Sequence, residues 1–215
     1  MATTRHAAAF LSAVHQSWDL ATTPEVLAAW GRESSCAGMT VGGLTHHLLN
    51  QGVNTARALR ADPAGSPEPI ALLEHYAGAA WVEAGPHDEV NAKIRDTDNA
   101  SALAGPDVVL AAAREHIDAL PELLAAPRDP DIIFIPWQGW SLSTDDFLTT
   151  RMMEMVVHGD DLASSVGVPT PTYAEDVITP VLGLLGGVAA RRHGQTALVR
   201  ALARPQRAEN GISAF

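Results

Sequence analysis

Arg151, Glu154, His158 and Asp161 recur at spacings of three and four within FLTTRMMEMVVHGDDLASSVG, residues 147–167. At about 100° per residue they fall on one narrow helical stripe led by Phe147. Met152, Met153, Met155, Val156 and Val157 flank it on both sides. A solvated helix face is normally broad and mixed, whereas this is a single file of ionisable groups in an apolar setting. Glu154 and His158, four apart, point the same way one turn apart. That spacing lets a carboxylate oxygen and an imidazole nitrogen meet one divalent ion, as in metal sites built inside helical bundles. The pair alone is common, so the apolar surroundings carry the weight: an unpaired buried carboxylate is costly. Spacing and burial leave this reading level with another, in which Glu154 pairs with Arg151 and His158 only hydrogen-bonds. Asp161, one turn beyond His158, either orients that imidazole from behind or lies on the helix surface.

A metal needs a third ligand, and LTHHLLNQ (44–51) offers one. His47 sits between Leu44, Leu48 and Gln51 on the core-facing arc, while His46 points about 100° away toward Asn50 and Val53. If this helix supplies a ligand, His47 is the better placed; a solvated histidine pair is the alternative. His75 and His116 read as surface or packing histidines, and His6, His15, His87 and His193 belong to no constellation. Cys36 reads as a small, part-buried cysteine, with nothing near it in sequence to activate it. Trp137 and Trp140 could line a pocket mouth or cap a bundle, with core packing the safer expectation.

The elements that must hold these residues are mostly helical. Helix is expected over 6–21, over 40–61 with Thr40 as N-cap, over 70–84 with a polar continuation near 86–99, and over 106–126. Pro106 suits a first turn, and Pro121 should kink or restart the last of these. The segment 62–69, DPAGSPEP, is a loop. DIIFIPWQGWSLST (131–144) is different: a β-branched run ending at Pro136, then a loop with two tryptophans. Helix resumes with Asp145 and Asp146 in its first turn, where they favour the dipole, and runs to the GVPTP break at 167–171. A final helical region covers roughly 173–203. The expected fold class is mostly α: a bundle with one short extended segment and an additional C-terminal helical region, 170–215, within a single domain spanning 1–215.

The bulk composition limits the function. The 215 residues carry a formal net charge of −11, which argues against nucleic acid as a partner. The short cluster AARRHG at 189–194 does not reverse that. A single cysteine rules out an internal disulfide and fits a reducing compartment. No long apolar run suggests a signal peptide or a membrane span. The expectation is a cytoplasmic protein without nucleic-acid or membrane partners.

Taken together, CAGMTVGGLTHHLL and, about a hundred residues later, PWQGWSLSTDDFLTTRMMEMVVHGDDLASSVGVP resemble the mycothiol-dependent maleylpyruvate isomerase family, within the DinB-like metalloproteins. The family pattern W-T-V-x-D-L-x-x-H is followed by P-W-G and R-x-x-E-x-x-x-H-x-x-D-L-A-x-x-x-G. Pro136, Trp137, Arg151, Glu154, His158, Asp161, Leu162, Ala163 and Gly167 match the second block. The first block departs at Met39, where the family usually has Trp, and at Gly43, where it usually has Asp; its histidine falls at His47. The closing ALVRALARPQRAENGISAF resembles the ending of shorter members.

The resemblance implies a DinB-like four-helix bundle with a divalent metal, zinc by preference, held by His47, Glu154 and His158. Mycothiol would be the thiol cosubstrate and a small electrophile the substrate, in an S-transferase or isomerase. Arg151 would anchor a substrate carboxylate, although an ion pair with Asp161 or another acid competes with that role; Trp137 and Trp140 would flank the cofactor pocket. Homo-oligomers occur in such bundles. Met39, Gly43 and the short C-terminal region fit a relative with a substrate other than maleylpyruvate. A non-catalytic metal-sensing bundle and a metal-dependent hydrolase working without thiol are the alternatives.

Overall fold

The computed structural model describes residues 4–79, 89–208 and 211–215. In chain order the elements are α1 (Ala7–Ala21), α2 (Pro24–Ala28), α3 (Val41–Arg60), α4 (Leu72–Gly78), α5 (Glu89–Ala102), α6 (Pro106–Ile117) and α7 (Leu120–Ala125). Then follow β1 (Ile132–Ile135), β2 (Trp140–Ser143), α8 (Thr144–Val166), α9 (Glu175–His193), α10 (Gln195–Ala203) and a 3₁₀ turn, Pro205–Arg207. The expected mostly helical class holds.

Helix α3 is central, packing against α8, α5, α6 and α1, while α8 also meets α1 and α9. The α1–α3–α8 core includes Phe10, Leu44, Leu48, Leu148, Met152 and Leu162, all fully buried. Both helices that carry the site are closed at their ends by local chemistry. The Thr40 hydroxyl accepts the Gly43 N–H at 2.9 Å, satisfying one of the free donors of the first turn of α3. At the other end, Arg128 donates to the carbonyls of Leu59 at 2.9 Å and Ala61 at 3.0 Å, and also to Ile132 at 2.8 Å. One guanidinium thus caps α3 and ties it to β1. In α8 the Ser143 hydroxyl accepts the Asp146 N–H at 3.1 Å, and Gly167 ends the helix in the left-handed region at φ +75°.

Several expectations need correction. The segment after Pro136 is not only a loop: Trp140–Ser143 returns as β2, antiparallel to β1, with Ile135 opposite Trp140 and Ile132 opposite Ser143. The alternation of Trp140, Ser141, Leu142 and Ser143 was too short to separate from a turn. Residues 173–203 form two helices, broken at Gly194, whose φ of +85° leaves the helical region. Pro121, as expected, restarts the chain, standing in the first turn of α7. A short helix not anticipated, α2, begins at Pro24 and is capped by Thr23. Of the expected helix 70–84, Leu72–Gly78 is helical; residues 80–88, His87 among them, lie outside the described residues. Among the described residues no helix is long and apolar enough to cross a membrane.

Candidate metal centre

The ionisable stripe of α8 lies against α3. Arg151, Glu154, His158 and Asp161 are all half-buried, alternating with fully buried Met152, Met153, Met155 and Leu162. From α3, His47 enters the same space. Its Nε2 lies 3.5 Å from Glu154 Oε2, and His158 Nε2 lies 3.3 Å from the same oxygen. The two rings meet edge to face with centroids 4.7 Å apart. The three donor atoms lie within 4.8 Å of one another. Ligand atoms around one tetrahedral zinc, with bonds near 2.0–2.1 Å, stand about 3.3 Å apart, so this donor set has the spacing of a metal site.

What lies behind the imidazoles fixes which nitrogen faces inward. His47 Nδ1 donates to Asp98 Oδ2 at 2.8 Å, and His158 Nδ1 donates to Asp161 Oδ2 at 2.9 Å. With each Nδ1 proton committed to a carboxylate, each Nε2 is the nitrogen that faces Glu154, donating to it when protonated and free to offer a lone pair to an ion once that proton has left. This is the carboxylate–histidine arrangement that orients metal-ligating imidazoles. Asp98 is shared: its other oxygen lies 2.6 Å from His46 Nδ1. Asp161 therefore stands behind His158 rather than on an open surface.

The charges are mutually supporting. Burial works to raise the Glu154 carboxyl, but His158, His47 and the Arg151 charge together hold it well below the usual carboxylate range. Burial likewise disfavours charged His158, yet Asp161, Cys36 and Glu154 push its pKa well above the ordinary imidazole value. His47 is raised for the same kind of reason, with Asp98 and Glu154 outweighing burial. Asp98 and Asp161 are both lowered, their imidazole partners overcoming desolvation.

Arg151 does not pair with Glu154. Its Nη1 donates to Gln51 Oε1 at 2.8 Å, its Nε donates to Thr150 Oγ1 at 3.0 Å, and its guanidinium carbon stands 5.5 Å from the centre of the Phe147 ring. Gln51 in turn donates to the His47 carbonyl at 2.9 Å. The ion-pair reading of the stripe is thus replaced by a link from Arg151 through Gln51 to α3.

Trp140 is half-buried, and its indole N–H donates to His75 Nδ1 at 3.1 Å. His75 is buried at 4 % exposure, not a surface residue, and its pKa is pushed down to about 4 by burial and then by the Arg151 charge. Trp137 stands 73 % exposed in the hairpin turn. His116 remains at the surface, where it meets Arg60 at 3.0 Å.

Sequence reasoning missed Asp98, Gln51 as the holder of Arg151, and the surroundings of Cys36. Gln51 had a usable signal, one turn from His47 on the same arc. Asp98 and Cys36 had none. The Ser35 hydroxyl donates to the Asp161 carbonyl at 2.8 Å, and the Ser35 N–H donates to Ser165 Oγ at 2.9 Å. These bonds bring the loop before α3 against α8, placing donor atoms of Cys36, His158 and Asp161 within 4.8 Å of one another.

The departure at Gly43 has a steric cause. A Cβ there would collide with the side-chain oxygen of Asn99, which accepts the Thr40 N–H at 2.9 Å. Asn99 thus occupies the space beside the α3 N-terminus that a side chain at position 43 would need. No curated protein and no solved structure is a significant match to the chain. The family model described as the mycothiol maleylpyruvate isomerase N-terminal domain matches residues 10–163, and the chain, a DinB-like helical bundle with further C-terminal helices, belongs to that family.

Proposed function

We propose that the protein is a metal-dependent, mycothiol-dependent S-transferase or isomerase acting on a small electrophile. One observation carries the reading. Two imidazole Nε2 atoms from different helices converge on one Glu154 oxygen, and each ring is backed by its own carboxylate. His47, Glu154 and His158 would hold the metal, zinc by donor type, as a three-ligand set of the kind that leaves a position open. Bound there, the metal would lower the pKa of a thiol so that it is a nucleophile near neutral pH.

The chain's own groups supply the rest. Asp98 and Asp161 hold the two imidazoles in the tautomer with a free Nε2. Glu154, as an anion, brings the centre close to electrical neutrality once a thiolate is present. Arg151, fixed by Gln51 and Thr150, has further guanidinium N–H groups with which to anchor a carboxylate of the electrophile. Trp140, seated on His75, and the exposed Trp137 would form the wall against which the thiol lies. The thiolate sulfur would add to one carbon of an activated C=C bond, whose π pair moves onto the activating carbonyl. If rotation and expulsion of the thiolate follow, the pair returns and the double bond re-forms as its isomer; if a proton, such as the one the thiol gave up, is delivered to the second carbon, the adduct stays as the S-transfer product.

The test is elemental analysis of untagged wild type and His158→Ala, followed by turnover of electrophiles with and without mycothiol. About one ion per wild-type chain, absent from the variant, together with thiol-dependent turnover, supports the proposal. Turnover without thiol would assign a hydrolase. Bound metal with no turnover would leave a sensing bundle, and no metal after reconstitution would end the mechanism.

A further inference from the structure

Around α3 from the donor set, α3, α5 and α6 enclose a cavity of about 240 Å³. At about 30 Å³ per water, that is room for a small organic molecule rather than a single solvent. Leu49, Val53 and Val109 give it an apolar floor, and Asn50, Arg57 and His116 stand at its polar side. Asn50, Val53 and Arg57 are three, four and seven apart, so they share one face of α3. Val108, at the mouth, is 58 % exposed although apolar.

The charge of this cavity runs against that of the molecule. The chain has a formal net charge of −11, yet no acidic residue is in the lining among the described residues. No carboxylate pairs with Arg57 there, and the Asn50 carboxamide is likewise without a partner among the described residues. Several other arginines are engaged: Arg114 with Asp118 at 2.8 Å, Arg191 with Glu74 at 2.6 Å, Arg151 with Gln51 at 2.8 Å.

We propose that this cavity binds a small monocarboxylic acid. Its hydrocarbon body would lie on Leu49, Val53 and Val109, and its carboxylate would meet the Arg57 guanidinium and the Asn50 amide N–H. An apolar hollow with few convergent polar groups is the usual form of a small-molecule site, and a planar guanidinium matches a carboxylate with two parallel hydrogen bonds. A bare inorganic anion would leave the floor uncovered; a neutral ligand would leave Arg57 unmatched. The site is distinct from the metal centre and does not rest on the function proposed for it. The two are neighbours through His46, which lines the cavity and shares Asp98 with His47.

The experiment is calorimetric titration of the full chain with hexanoate, and with hexanamide as its uncharged counterpart. It is run on wild type, Arg57→Gln, Ala112→Trp and His158→Ala. Arg57 and Ala112 are exposed, so both substitutions leave the packed interior untouched. Hexanoate should bind wild type and His158→Ala alike, weaken about tenfold or more in Arg57→Gln and against hexanamide, and fail to bind Ala112→Trp, whose indole fills the cavity. Equal binding of acid and amide, or no change in Arg57→Gln, overturns the charge argument. Loss of binding in His158→Ala would place the acid at the metal centre instead, and no binding of hexanoate to wild type ends the proposal.

Discussion

The two histidines of the donor set reach the same geometry by opposite routes. His158 takes its supporting carboxylate from Asp161, three residues on along the same helix. His47 takes its own from Asp98, 51 residues away on α5, and shares it with His46. One half of the centre is held by helix periodicity alone. The other exists only because α5 packs on α3. The first should therefore survive perturbations of packing that dismantle the second.

The largest effect should come from removing what both halves share. Glu154→Ala is expected to abolish stoichiometric metal binding, from about one ion per chain to none, by elemental analysis. The comparison itself is sharpened by Asp98→Asn against Asp161→Asn. Each should weaken metal affinity by about 10- to 100-fold. Asp98→Asn should also lower stability by about 1–3 kcal/mol in denaturant unfolding, because two imidazoles lose one buried acceptor. Asp161 is more open, with 30 % of its side chain exposed against 6 % for Asp98, so its loss should leave stability nearly unchanged. Equal destabilisation by the two substitutions would remove the distinction between a local and a packed half.

The halves should also differ in titration. Metal-free His158 is raised well above the ordinary value and His47 is raised less emphatically. Of these two imidazoles, His47 should be the first to lose its ring proton as the pH rises, read by nitrogen-edited NMR. Both protons must leave before the nitrogens can bind an ion, so metal affinity should rise with pH through this range, by up to about a hundredfold per unit. Finding that His158 deprotonates first would contradict the charge arrangement described above.

A smaller effect belongs to His75. Its folded pKa is about 4 against 6.5 as the reference value, so the unfolded chain takes up the proton first as the pH falls. Stability contributed by neutral His75 is then full above pH 6.5 and lost between 6.5 and about 4, by up to about 3 kcal/mol. His75→Gln, which retains an acceptor for the Trp140 indole, should flatten that part of the thermal-stability profile relative to wild type. Smallest of all is Trp137→Ala. With the side chain 73 % exposed, unfolding free energy should change by no more than about 0.5 kcal/mol.

What could be read from the sequence by itself was whatever repeats within one helix. The α8 stripe, the placing of His47 rather than His46 against it, the Thr40 cap and Pro106 in a first turn all follow from a period of 3.6 residues and the needs of helix ends. Residues three and four apart face one another whatever the rest of the chain does. Tertiary structure decided the rest: that Asp98 backs His47 and His46, that Gln51 rather than Glu154 takes Arg151, that Ser35 carries Cys36 to Asp161, and that Trp140 buries His75. Each of these contacts joins segments whose separation is set by packing between helices or against the hairpin. Such separations leave no periodic trace in the chain, because they depend on which apolar faces are buried together and at what angle.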